Sequence, residues 1–111
     1  QTSATISAML VRVVQNGHGQ RAGVPGYFVA GKTGTAQIPD PTTGKYEPEL
    51  TIGTFAGYAP VEDPQFVMVT QLIRPRDVQF AESSAAPLFG SLAKFLMLYL
   101  NIPPTTTVVT P

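Results

Sequence analysis

Apolar residues recur at helical spacing near both ends of the chain. Close to the N-terminus they occupy positions i, i+3, i+4, i+7 and i+8, namely Ile6, Met9, Leu10, Val13 and Val14. This pattern predicts a helix from about Ser3 to Asn16, capped at its start by Thr2 or Ser3 and ended by a left-handed residue in the Asn16-Gly17 pair. A second stripe predicts a C-terminal helix that covers a sheet, and it comprises Ala85, Leu88, Phe89, Leu92, Phe95, Leu96 and Tyr99.

The residues between these helices favour β-structure. The run from Tyr27 to about Gln37 is rich in β-formers and predicts a strand weakened by two glycines. A long proline-rich loop is predicted from Pro39 to Pro48. Two further apolar runs, Thr51 to Ala59 and Gln65 to Arg74, are joined by a turn-forming string and predict a hairpin. Three antiparallel strands follow from these patterns.

The order of the elements, a helix followed by three strands and another helix, predicts an α+β fold. Both helices are expected to pack their apolar stripes against one antiparallel sheet. A three-stranded sheet leaves two unpaired edges, and intact proteins usually pair or cover such edges. We therefore expect further chain to belong to the same domain as residues 1–104, whereas residues 105–111 are predicted to form a flexible tail.

Composition narrows the classes of function. Seven basic and seven acidic side chains cancel, and neither sign forms a run, which argues against a nucleic-acid partner. No segment has the apolar length of a membrane span or the pattern of a signal peptide. The chain lacks cysteine and has one histidine, His18, so a thiolate or histidine metal site is not expected, and neither is a cofactor. A glycine-flanked loop is expected to leave His18 solvated.

The string with the clearest chemistry is Lys32-Thr33-Gly34-Thr35, which Ala36-Gln37 extends. On a strand, Thr33 and Thr35 point to one face, so that two hydroxyls address one ligand. Lys32 adds positive charge, and Gly34 lacks the side chain that would keep a ligand's backbone away. This combination suits an anionic end of a peptide. The alternative is an ordinary edge strand whose polar residues discourage aggregation.

Two other motif matches are better explained by ordinary structure. Residues 26–33 fit the phosphate-loop pattern G-x-x-x-x-G-K-[ST], but that loop needs a helix starting at its lysine, and the residues here favour a strand. Ser91 and Lys94 fit the pattern Ser-x-x-Lys of a serine nucleophile. Both lie in the C-terminal helix, and polar residues on a helix usually face water.

Several strings taken together resemble the class B penicillin-binding proteins, the monofunctional peptidoglycan transpeptidases. Besides Lys-Thr-Gly-Thr-Ala-Gln, they are Val-Val-Gln-Asn-Gly-His-Gly (13–19), Val-Pro-Gly-Tyr (24–27), Phe-Ala-Gly-Tyr-Ala-Pro (55–60) and Ala-Ala-Pro-Leu-Phe (85–89). The resemblance covers residues 9–100 and implies the C-terminal part of a transpeptidase domain with the penicillin-binding and serine β-lactamase fold. That family also uses a Ser-x-x-Lys nucleophile and a Ser-x-Asn motif, which are expected upstream of this chain.

The resemblance implies roles for the residues of the motif. Thr33 and Thr35 would hold the terminal carboxylate of a D-Ala-D-Ala stem peptide or of a β-lactam, with Gly34 leaving room for it. The Thr35 backbone N–H would form half of the oxyanion hole. Lys32 would supply positive potential and assist proton movement. The expected partners are the rest of the transpeptidase domain and the cell-wall synthesis machinery, on the extracytoplasmic face of a bacterial membrane, with the anchor outside this chain.

Two alternatives to a transpeptidase fragment remain open from the sequence. A serine β-lactamase or D,D-carboxypeptidase also has a Lys-Thr-Gly strand, although Thr35-Ala36-Gln37 and the Ala-Ala-Pro-Leu-Phe string favour the transpeptidase. A non-catalytic module could instead bind peptides along the open strand edge. Labelling with a fluorescent penicillin separates these possibilities, because the isolated 111 residues are expected to take no covalent label.

Overall fold

The computed structural model describes residues 1–74 and 80–104, with only the backbone of residues 46–50 and 82. The helices are α1 (Thr2–Asn16) and α2 (Ala85–Tyr99), and the strands are β1 (Ala30–Pro39), β2 (Tyr46–Ala59) and β3 (Phe66–Ile73). Two 3₁₀ turns, Gln20–Ala22 and Ala81–Ser83, precede β1 and α2. The tail predicted at 105–111 lies outside the described residues.

The strands form one antiparallel sheet in the order β1-β2-β3. This confirms the predicted α+β fold, but β1 begins three residues later than predicted, at Ala30, and continues to Pro39. The predicted long loop is correspondingly wrong, because Pro39 already pairs with Tyr46. Asp40 makes the short connection possible, since its carboxylate accepts hydrogen bonds from the backbone N–H groups of residues 42 and 43.

The ends and the apolar face of α1 differ from the prediction. The N-terminal cap is Gln1, without a side-chain hydrogen bond, and Gly17 at the other end is extended rather than left-handed. Val14 is buried, whereas Ile6 and Met9 are exposed, because the helix turns the side of Ser7 and Val14 to the sheet. Ser7 shares a hydrogen bond with the hydroxyl of Tyr58 on β2. A prediction based on the large apolar residues alone therefore assigned the wrong buried face to α1.

The buried face of α2 is also displaced from the predicted stripe. Ala85 and Phe89 are buried as expected, but Leu92, Phe95 and Tyr99 are exposed. Small residues occupy the face that packs inward, namely Ala86, Gly90 and Ala93, together with Met97. The approach is close, because a Cβ added to Gly90 would lie 2.6 Å from the carbonyl oxygen of Arg21. The small residues on the inner face of α2 thus allow the helix to pack closely against the neighbouring backbone.

The core lies between the sheet and α2. The rings of Phe55 on β2 and Phe89 on α2 are both fully buried, with centroids 4.6 Å apart and tilted planes. Val29 and Met97 extend the core, and the Tyr27 hydroxyl donates a hydrogen bond to the carbonyl of Ile102 beyond α2. This packing fixes the sheet beneath the Lys-Thr-Gly segment. Within the described ranges, neither helix has the length and apolar character needed to cross a membrane.

Candidate functional site

An open pocket of about 300 Å³ lies beside β1. Three separate parts of the chain line it: the loop after α1, the strand β1 and the segment that enters α2. The lining residues are His18, Thr33, Thr35, Phe80 and Ala81. The segment 32–35 is extended, as predicted, and no helix starts at Lys32, which contradicts a phosphate-binding loop.

Strand register places the two threonines on the pocket side of the sheet. Thr33 pairs with Phe55 and Thr35 pairs with Gly53, so both share the face that carries the aromatic core. Lys32 and Gly34 occupy the intervening positions. The two hydroxyls therefore follow one another along one wall of the pocket, which is the arrangement that the alternation of residues predicted.

The Lys32 side chain bends along the strand towards Thr33. Its ammonium donates a hydrogen bond of 3.0 Å to the Thr33 carbonyl and lies 3.4 Å from the Thr33 hydroxyl. Lys32 itself is exposed. A positive charge beside a hydroxyl donor favours an anionic ligand, and ionised partners make hydrogen bonds roughly twice as strong as neutral ones.

The Thr35 hydroxyl is held by the segment that enters α2. The backbone N–H of Ala81 donates to the Thr35 Oγ1 at 2.9 Å. A hydroxyl has one donor and two acceptor positions, so the O–H of Thr35 stays available for a ligand. The bond thus restrains the oxygen while leaving its proton free to be donated.

The two glycines of β1 have different surroundings. A Cβ at Gly31 would lie 2.5 Å from two ring atoms of Phe55 and 2.8 Å from the Ala56 carbonyl, so the strand lies flat on the buried ring. A Cβ at Gly34 would meet no described atom within 4 Å. Packing among the described residues therefore does not explain glycine at position 34. The explanation predicted from the sequence is that glycine lets a ligand's backbone approach closely.

Three lining residues were missed from the sequence. His18 was expected in a solvated loop, and it is exposed, but it also lines the pocket with Thr33 and Thr35. Phe80 lies in a connection without periodic pattern, and Ala81 contributes through its backbone N–H. A backbone contribution carries no side-chain signal, so only the fold could locate it.

Ser91 and Lys94 lie on the exposed side of α2 and do not line this pocket, as predicted. Replacing Ser91 with alanine in the longer protein is expected to leave covalent labelling by a fluorescent penicillin unchanged within about twofold, as for surface substitutions generally. Label retention is measured on a gel under denaturing conditions. A label that disappears with Ser91→Ala would identify Ser91 as the nucleophile and overturn this assignment.

An antiparallel sheet backed by a C-terminal helix, with Lys-Thr-Gly-Thr along an open pocket, is the arrangement that the resemblance to penicillin-binding proteins implies. Comparison with known families agrees: the profile of the penicillin-binding protein transpeptidase domain matches residues 1–94. The chain belongs to the penicillin-binding protein transpeptidase domain family, and the relatives it matches are class B members.

Individual relatives and solved structures support the same family. The chain is 44% identical to PbpB of Mycobacterium tuberculosis over 93% of its own length, and 39% identical to stage V sporulation protein D of Bacillus subtilis over 94%. It spans 16% of each of these relatives. Penicillin-binding protein 3 of M. tuberculosis, solved with ampicillin, superposes with a TM-score of 0.80 at 39% identity, over 96% of this chain and 26% of that one.

Proposed function

We propose that the chain is the C-terminal part of a class B peptidoglycan D,D-transpeptidase, in which β1 forms one wall of the active site. The observation that carries this proposal is the row of two threonine hydroxyls and one ammonium beside an open pocket. Family membership supports the enzyme class, and relatives from Chlorokybus atmophyticus and Mesostigma viride are named peptidoglycan D,D-transpeptidase FtsI homologues.

The proposed role of β1 is to bind and polarise the substrate. The hydroxyls of Thr33 and Thr35 donate to the terminal carboxylate of a D-Ala-D-Ala stem peptide, or to that of a β-lactam. The backbone of the substrate lies along β1 as an added strand, for which the exposed backbone at Gly34 leaves room. The Thr35 N–H stabilises the oxyanion together with an N–H of the nucleophilic serine, which lies in a part of the domain outside this chain.

The proposed reaction is acyl transfer through that serine. Its oxygen attacks the penultimate D-Ala carbonyl, the C–N bond to the last D-Ala breaks, and the leaving amine takes up a proton. An amine from a neighbouring stem peptide then attacks the acyl-serine and restores the hydroxyl. Lys32 assists proton movement through its positive potential.

We propose that the whole enzyme is anchored on the extracytoplasmic face of a bacterial membrane, by a segment outside this chain, and works with the cell-wall synthesis machinery.

Thr33→Val tests the carboxylate-binding role without disturbing the Ala81 contact. Valine keeps the branched shape but removes the hydroxyl, and a hydrogen bond to a charged group is worth about 1.5–3 kcal/mol. We expect the second-order rate of acylation by a fluorescent penicillin to fall about 10- to 100-fold in the longer transpeptidase. A thioester substrate ending in a carboxylate should lose a similar factor, whereas the same substrate ending in a carboxamide should change little.

Thr54→Val is the matched control, because Thr54 is a threonine of the same sheet that points to the opposite face. The fluorescent penicillin should acylate the Thr54→Val variant at the parental rate. Equal rates for the parent and Thr33→Val, with both proteins folded, would refute the proposed role of β1. Penicillin labelling followed by rapid hydrolysis would favour a β-lactamase, and an absence of labelling in the longer protein would favour a binding module.

A further inference from the structure

We propose that Gly53 is a positioning residue for the Thr35 hydroxyl, and that it acts through the 81–83 turn. This inference rests on the proposed function of β1. Gly53 lies on β2, directly opposite Thr35 in the strand register, and is buried. Its position makes it the point at which the segment entering α2 meets the sheet.

The absence of a side chain at Gly53 lets that segment lie directly on the sheet. An added Cβ would stand 2.5 Å from the Ser84 Oγ and 3.3 Å from the Ala81 Cα. Real Cβ atoms essentially never approach a neighbour as closely as the first of these distances. A side chain at position 53 therefore displaces the Ser84 hydroxyl and requires the turn to move outwards at Ala81 by a few tenths of an ångström.

The turn that packs against Gly53 carries the N–H group that donates a hydrogen bond to Thr35. The Ala81 N–H reaches the Thr35 Oγ1 at 2.9 Å, and Ala81 is 1% exposed. Hydrogen bonds weaken steeply as the distance grows beyond about 3.2 Å or the angle closes, so a shift of the turn by a few tenths of an ångström weakens this one. Thr35 would then lose the contact that fixes its oxygen in the pocket wall.

The turn cannot move outwards without disturbing its other attachments. Ser84 is buried, and its carbonyl accepts the first backbone hydrogen bond of α2, from Leu88, at 3.4 Å. The Ala85 carbonyl accepts a hydrogen bond from the buried Thr70 hydroxyl on β3. The turn is thus held between α2 and the sheet, and Gly53 sets how closely it approaches Thr35.

Gly53→Ala in the longer transpeptidase is expected to lower the acylation rate of the carboxylate substrate about 3- to 10-fold, because a misplacement of 1 Å can cost about 100-fold and the turn moves by a few tenths of an ångström. The carboxamide substrate should lose much less. Ser84→Ala removes the atom at 2.5 Å and should behave as the parent by itself. Combined with Gly53→Ala, it should restore most of the lost rate.

Ala81→Pro supplies a second variant that bears directly on the donor. Proline removes the N–H and places its Cδ where the amide hydrogen pointed at the Thr35 Oγ1, so it abolishes the bond and displaces the hydroxyl. The extended Phe80 before it already has the backbone conformation that a following proline requires. Ala81→Pro should lower the ratio of the acylation rate of the carboxylate substrate to that of the carboxamide substrate, as Gly53→Ala does. In a Thr35→Val background, neither substitution should change that ratio further, because the acceptor is already gone.

An equal loss with both substrates, or an undiminished effect of Gly53→Ala in the Thr35→Val background, would show a general structural role and overturn the inference. A failure of Ser84→Ala to restore the rate would also contradict it. These outcomes are distinct from a failure of the proposed function, which Thr33→Val reports independently. If folded Ala81→Pro kept the parental ratio of acylation rates for the two substrates, the inference would be contradicted even if Gly53→Ala proved insoluble.

Discussion

Lys32→Ala is expected to lower the rate of acylation by penicillin about 10²- to 10⁴-fold, the range typical of a lost group that assists proton transfer. The Lys32 ammonium lies 3.4 Å from the Thr33 hydroxyl, which places it beside the ligand in the proposed mechanism. Removing it takes away the charge that favours an anionic ligand and, by the proposed mechanism, the group that assists proton movement. The measurement is single-turnover acylation of the longer transpeptidase.

Two further lysine variants sharpen this test. Lys45→Ala removes an exposed lysine from the loop between β1 and β2, and should acylate as the parent does. Lys32→Arg keeps the charge but replaces a compact ammonium with a planar guanidinium, so an intermediate rate is expected. Parental acylation by folded Lys32→Ala would show that Lys32 contributes nothing to the reaction. Equal losses for both alanine variants would reveal a nonspecific effect of net charge.

The conformation of the Lys-Thr-Gly strand was predictable because it depends on local alternation. Residues 32–35 hold β-forming threonines around one glycine, and extended backbone necessarily sends Thr33 and Thr35 to the same side. The antiparallel pairing of β2 with β3 also followed from the turn-forming string between their apolar runs, whereas the connection between β1 and β2 is shorter than predicted. These features need no knowledge of distant contacts, so sequence reasoning captured them.

The faces of the helices were not predictable in the same way. Counting large apolar residues assumes that bulk marks the buried side, yet α2 turns Ala86, Gly90 and Ala93 inward and leaves Phe95 exposed. Close packing rewards small residues where backbones approach, and the identity of the approaching backbone depends on the whole fold. The carbonyl of Arg21 beside Gly90 is such a partner, and no local pattern announces it.

The pocket itself combines both kinds of information. Its threonines come from a readable motif, whereas His18 and Phe80 come from loops brought there by the packing of α1 and α2. The contribution of Ala81 is a backbone N–H, which every residue except proline carries. Gly53 matters through an absent side chain. The sequence therefore indicated the residues that are proposed to contact the ligand but not the residues that hold them in place.

Gly31→Ala is expected to lower the free energy of unfolding by about 1–3 kcal/mol, the usual cost of overpacking a well-packed core. The new methyl group would overlap the ring of Phe55, which is fully buried and packed against Phe89. The smaller backbone entropy of unfolded alanine offsets only about 0.4–1 kcal/mol of this cost. The midpoint of urea unfolding, measured on the longer domain with an unchanged slope, gives the difference directly.

Gly34→Ala provides the matched control on the same strand. Its Cβ would meet no described atom within 4 Å, and neither Gly31 nor Gly34 has a positive φ that would penalise alanine by itself. Stability should therefore match that of the parent or exceed it by up to about 1 kcal/mol. The difference between the two variants isolates the contacts at position 31, with the Phe55 ring and the Ala56 carbonyl, from the general effect of replacing glycine. Equal midpoints for both would mean that Phe55 does not support the strand that carries Lys32 and the two threonines.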